Sequence, residues 1–120
     1  MSIREGETLP NASFVRRGAD GPEAVDLGSL TKGRRIVIVA VPGAFTPTCH
    51  SAHMPTIIAE HDTIRARGVD EVIVLAVNDM HVMKMWGQVT GAEAAGITLL
   101  ADVDSGFTKA IGMEFTAAAA

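Results

Sequence analysis

The chain holds one cysteine, Cys49, inside the run Pro42-Gly43-Ala44-Phe45-Thr46-Pro47-Thr48-Cys49-His50. The thiolate is the nucleophile and the thiol is not, so the chemistry depends on what would ionise the sulfur. Pro42 and Pro47 bend the loop, and Pro47 suits a position at the start of a helix. Thr46 or Thr48 would cap the free N–H groups there. Cys49 then falls in the first helical turn, where the helix dipole amounts to about half a positive charge and favours a thiolate. Thr46, three residues earlier, could aim its hydroxyl at the sulfur. His50 and His53 add polar or cationic groups nearby.

Three other readings of these residues stand beside the nucleophile. A lone free cysteine is often a small core hydrophobe, but the flanking prolines and the helix start weigh against that here. Cys49-His50-x-x-His53 has thiolate and imidazole donors that suit zinc or copper. On a helix, Cys49 and His53 share a face and His50 points away, so at most two ligands converge and no metal is expected. A Cys–His hydrolytic dyad would need a third, orienting group and an oxyanion hole for an acyl intermediate.

The loop must be carried by the elements around it. Ile36-Val37-Ile38-Val39-Ala40-Val41 is a continuous apolar, β-branched run, as expected for a strand covered on both faces of a parallel sheet. Val72-Ile73-Val74-Leu75-Ala76-Val77 is a second. Between them a helix is expected from Cys49 to Arg67, stopped by Gly68. A second helix over Met80–Thr90 precedes a short strand, Ile97–Leu100, and Ser105–Ile111 reads as a short third helix. Residues 1–35 read as short edge strands and a hairpin between breaker clusters such as Arg17-Gly18-Ala19-Asp20-Gly21-Pro22. Strands alternating with helices give an α/β sandwich with right-handed crossovers. Its sites lie beyond the carboxyl ends of the strands, which is where Cys49 falls. Met80, Met83, Met85 and Trp86 are expected to pack in the core or against a partner. Asn78-Asp79 reads as a helix-capping loop. His61, His81 and the Glu/Arg residues of 60–71 read as solvated helix surface.

Composition narrows the class. At 120 residues the chain is expected to form one domain, 1–120, with a single substantial core. Ten basic residues stand against 14 acidic ones, a net charge of -4 that argues against nucleic-acid binding. No apolar run is long enough to span a membrane, and the start of the chain does not resemble a secretory leader. One thiol cannot form an intrachain disulfide, and a reducing, cytoplasmic setting is expected.

The run from Pro42 to Cys49 resembles the peroxidatic-cysteine motif of peroxiredoxins, Pro-x-x-x-Thr-x-x-Cys. Val41–Pro55 and Val77–Gly87 resemble the peroxiredoxin 5 (type II, alkyl hydroperoxide-reducing) subfamily. Ile3–Leu9, Leu99–Asp102 and Phe107-Thr108-Lys109 also fit. The resemblance implies a thioredoxin-like fold, a mixed central sheet flanked by helices, and thiol-dependent reduction of hydrogen peroxide and organic hydroperoxides without a cofactor. It makes Cys49 the peroxidatic nucleophile that becomes a sulfenic acid. Thr46 would hold sulfur and peroxide in line, Pro42 would shield the sulfenate, and the Cys49 N–H would polarise the peroxide. Gly43, Phe45 and His53 would be site neighbours, His53 through packing or charge and Phe45 also within a homodimer contact. With no second cysteine, the sulfenate would be resolved by an outside thiol: glutathione with glutaredoxin, or thioredoxin. The family's site arginine, final strand and final helix would come after residue 120, and Arg34, Arg35, Arg65 and Arg67 do not match that arginine. An alternative role follows, a peroxiredoxin-fold module for redox sensing or partner binding with little turnover.

Overall fold

The computed structural model describes residues 2–114. Its elements are β1 (Ser13–Gly18), β2 (Gly21–Asp26), α1 (Leu27–Thr31), β3 (Ile36–Ala40), a π-turn (Cys49–His53), α2 (Met54–Ala66), β4 (Glu71–Ala76), α3 (Met80–Thr90), β5 (Thr98–Ala101) and α4 (Gly106–Ala110). The five strands form one sheet in the order β2-β1-β5-β4-β3. β3, β4 and β5 are parallel, with Ile36 opposite Glu71 and Ile73 opposite Thr98. β1 runs antiparallel to both of its neighbours.

β4 shows why an unbroken apolar run was needed. Val72, Val74 and Ala76 point into one buried cluster with Cys49, Met54, Met83 and Trp86. Ile73 and Leu75 point into a second, with Phe14, Leu27, Phe107 and Ile111. Alternating side chains thus bind two layers to one sheet, and each large residue buried this way contributes about 1.5–3 kcal/mol. β3 packs on both faces as expected, Val37 and Val39 against the first cluster and Ile36 and Ile38 against the second, but as the edge strand of the described sheet it is only half-buried.

Local chemistry sets the ends of the elements. β1 and β2 join through Ala19-Asp20, with Gly21 at a φ of 112° that a side chain would rarely adopt. Asp79 accepts from the Val82 N–H at 2.9 Å and starts α3. Gly91, left-handed at φ 84°, ends it.

Several sequence expectations need correction. Residues 1–35 contain the short helix α1 as well as the hairpin, and the Asp26 carboxylate caps it by accepting from Ser29 N–H at 3.0 Å. The helix expected over Cys49–Arg67 is split into the π-turn and α2, which ends at Ala66. Met83 and Trp86 are core residues, as expected, but Met85 is half exposed. His81 is exposed, whereas His61 is buried, because α2 sets its ring against Gly96 ahead of β5. The alanine run Ala117–Ala120 lies outside the described residues.

Candidate functional site

The reactive loop leaves the carboxyl end of β3, where Val41 N–H still bonds the Leu75 carbonyl at 2.9 Å. Each turn of the loop has its own tie. The Thr46 hydroxyl donates to the Gly43 carbonyl at 2.6 Å. A Cβ on Gly43 would approach Thr46 Cγ2 to 3.0 Å, a tight contact that glycine avoids. The Ala44 N–H donates to Asn78 Oδ1 at 2.8 Å, joining this loop to the one after β4. Phe45 adopts a φ of 62°. A left-handed backbone costs a residue with a Cβ about 1–2 kcal/mol, so the loop around it must supply compensating contacts.

Those contacts are aromatic. The Phe45 ring stacks on His50, with centroids 5.6 Å apart and planes 21° apart, and lies 6.4 Å from Trp86. Trp86 is fully buried, and its Nε1–H donates to His50 Nδ1 at 3.0 Å. His50 N–H donates to the Thr46 carbonyl at 2.9 Å. The next turn is wider: Met54 N–H reaches the Cys49 carbonyl in an i to i+5 bond. Such π-turns occur disproportionately at functional sites.

Of the residues singled out in the sequence, Pro42, Gly43, Phe45, Thr46 and Cys49 all lie on this loop and the turn that ends it. Pro42 and Phe45 are exposed, Thr46 is half-buried and Gly43 is buried. Cys49 is 6% exposed, packed in the cluster that holds Val41, Ala44 and Met54. The sulfur therefore lies under the loop and not openly at its mouth. His53 ends the π-turn as an exposed side chain.

The capping expectation is corrected: Thr48 makes no side-chain cap bond, and the hydrogen bond of the Thr46 hydroxyl is the one it donates back to the Gly43 carbonyl. The His50 ring is not loose, since Trp86 and Phe45 hold it. Asp79 caps α3 as expected, whereas Asn78 serves the reactive loop. Asn78 and Trp86 are the site partners that sequence reasoning missed.

Among the described residues, no three His, Cys, Asp or Glu side chains come together as metal ligands would. Arg34 and Arg35 lie ahead of β3, at the end of the sheet opposite Cys49, and Arg34 is paired with Glu71 at 2.8 Å. Arg65 and Arg67 lie at the far end of α2. Pro42 also borders an apolar groove of about 320 Å³ formed with Val41, Leu75, Val77, Phe107 and Ile111.

A mixed sheet with a single cysteine at the start of the helix after a parallel strand defines a thioredoxin-like redox fold. Residues 4–120 match the Redoxin family. Among curated proteins, the chain is 38% identical over 113 residues to Peroxiredoxin-2C of Oryza sativa subsp. japonica, covering 93% of this chain and 69% of that protein. It is 40% identical over 115 residues to the chloroplastic Peroxiredoxin-2E-2 of the same organism, covering 94% of this chain and 51% of that protein. Among solved structures, reduced Prx3 of Vibrio vulnificus in complex with H2O2 superposes with a TM-score of 0.91 at 44% identity, over 97% of this chain and 73% of that one. Peroxiredoxin 5 of Alvinella pompejana superposes with a TM-score of 0.80 at 28% identity, over 92% of this chain and 69% of that one. The chain belongs to the redoxin family as a peroxiredoxin, an oxidoreductase family with the thioredoxin-like fold. It spans between about half and three quarters of the length of these relatives.

Proposed function

We propose that the chain is a thiol-dependent peroxidase that reduces hydrogen peroxide and organic hydroperoxides through Cys49. The observation that carries this reading is the tied loop from Pro42 to Cys49, which keeps one thiol under a hydroxyl-bearing turn at the start of a helix. The Cys49 thiolate attacks one peroxide oxygen. The S–O bond forms as the O–O bond breaks, sulfur gives up two electrons, and the departing hydroxide or alkoxide takes a proton to leave as water or alcohol. Thr46 orients the peroxide, the Cys49 N–H stabilises the developing charge, and Pro42 limits access to the sulfenic acid. Gly43 permits the close turn, while Phe45 and His53 flank it.

We assign resolution to an external thiol, glutathione with glutaredoxin or thioredoxin. A first thiol displaces water from the sulfenic acid to form a mixed disulfide, and a second releases Cys49. A single domain in a reducing, cytoplasmic compartment suits this cycle. A homodimer is part of the proposal, because Phe45, Met85 and Val89 leave apolar surface beside the site, 45%, 50% and 59% exposed.

The test is intact mass after one equivalent of hydrogen peroxide or tert-butyl hydroperoxide, followed by turnover with glutathione and glutaredoxin. Wild type should gain one oxygen atom, or a glutathione adduct when that thiol is present, and Cys49→Ser should gain neither. An unmodified wild-type chain overturns the reading. Modification without turnover would instead favour the sensing or partner-binding role.

A further inference from the structure

An indole N–H only donates, and a buried one needs an acceptor. For Trp86 that acceptor is His50 Nδ1, at 3.0 Å. Nδ1 therefore carries no proton, and the proton of the neutral ring sits on Nε2. His50 grips the reactive loop in two places. Its N–H bonds the Thr46 carbonyl at 2.9 Å, and its ring stacks on Phe45 at 5.6 Å. Phe45 is the loop's left-handed residue, with φ 62°, and such a conformation persists only where its surroundings enforce it. Thr46 follows it directly, so any rotation of the Phe45 backbone swings the Thr46 hydroxyl.

We propose that His50 is a positioning residue of this site: pinned by Trp86 in its Nε2–H tautomer, it holds Phe45 in the left-handed conformation that fixes where the Thr46 hydroxyl points. The inference rests on the peroxide-reducing reading of Cys49 and adds to it a line of contacts from α3 through His50 to the loop.

The experiment compares two reactions of the full chain. One is oxidation of Cys49 by hydrogen peroxide, read by mass after trapping the sulfenic acid with dimedone. The other is alkylation by iodoacetamide, which needs a reactive sulfur but no aligned Thr46. His50→Leu should slow the peroxide reaction roughly tenfold or more, as misplacement of a reacting group does, and barely change alkylation. His50→Asn, whose amide oxygen can stand in for Nδ1 but which has no ring to stack on Phe45, should recover part of the rate. Trp86→Phe should reproduce the loss, and the double variant should be no slower than either single one. Equal losses in both reactions, multiplied losses in the double variant or failure of the Asn rescue would overturn the proposal.

Should His50→Leu fail to fold, nitrogen NMR of the wild-type imidazole decides. An unprotonated Nδ1 beside a protonated Nε2 supports the assignment, and the opposite tautomer refutes it. A wild-type chain that is alkylated yet inert to peroxide refutes the peroxidase reading and the positioning role together. A peroxide-reactive wild type with an unaffected His50→Leu variant refutes the positioning role alone.

Discussion

Asn78 Oδ1 accepts the Ala44 N–H at 2.8 Å, so the loop after β4 holds the loop after β3 by its backbone. Removing the acceptor leaves a half-buried N–H without a partner, which costs about 1–2 kcal/mol. Asn78→Ala should lower the urea midpoint accordingly and slow peroxide oxidation of Cys49. Asn78→Asp keeps an acceptor and should stay near wild type in both measurements. Equal midpoints for Asn78→Ala and wild type would mean that this tie contributes nothing.

The Thr46 hydroxyl is fixed on the Gly43 carbonyl at 2.6 Å, with its oxygen lone pairs left for other partners. Thr46→Val preserves shape and deletes the hydroxyl. Its peroxide rate constant should fall by about 10²-fold, the usual scale for losing one oriented polar group at a reacting centre. Thr46→Ser should retain most of the rate. Stopped-flow consumption of hydrogen peroxide separates the two, and an unaffected Val variant removes Thr46 from the chemistry.

Gly87 lies within α3, where alanine would ordinarily stabilise the helix by about 0.8–1 kcal/mol. Here the added Cβ would stand 2.9 Å from Leu99 Cδ2 and 3.1 Å from Leu99 Cγ. Overpacking of this kind costs about 1–3 kcal/mol, so packing outweighs propensity. Thermal unfolding of Gly87→Ala should show a net loss of about 1 kcal/mol. Combining it with Leu99→Ala should cost less than the two single losses added together.

His61 is 5% exposed, its Nε2 has no hydrogen-bond partner, and its Nδ1 lies 3.4 Å from Asp62 Oδ1. A buried polar atom without a partner is a cost that an apolar replacement removes. His61→Leu should therefore match wild type in chemical denaturation or gain about 1 kcal/mol. Gly96→Ala should lose stability, because Gly96 has a φ of 95° and its Cβ would lie 3.3 Å from His61 Cε1. A clear loss in His61→Leu would show that the imidazole makes an interaction the leucine cannot.

The parts of the molecule written in adjacent residues were legible. The apolar runs at Ile36 and Val72 became β3 and β4, and Pro42, Thr46 and Cys49 fall on one loop because they are close in the chain. α1 was missed because its five residues, Leu27-Gly28-Ser29-Leu30-Thr31, are too few to show a helical period. Asn78 and Trp86 were missed as site partners because they bond residues 34 and 36 positions away, a distance no local spacing encodes. His61 sits between Glu60 and Asp62, which read as solvated surface; only the packing of α2 against Gly96 buries it.

The sequence contains one tryptophan and no tyrosine. Near-ultraviolet emission excited at the red edge therefore comes from a single indole, Trp86, one imidazole away from Phe45. Any event that reorients the ring of His50 changes the polarity and quenching felt by that chromophore. The molecule thus carries its own optical probe of the reactive loop, and no dye needs to be attached to follow it in real time.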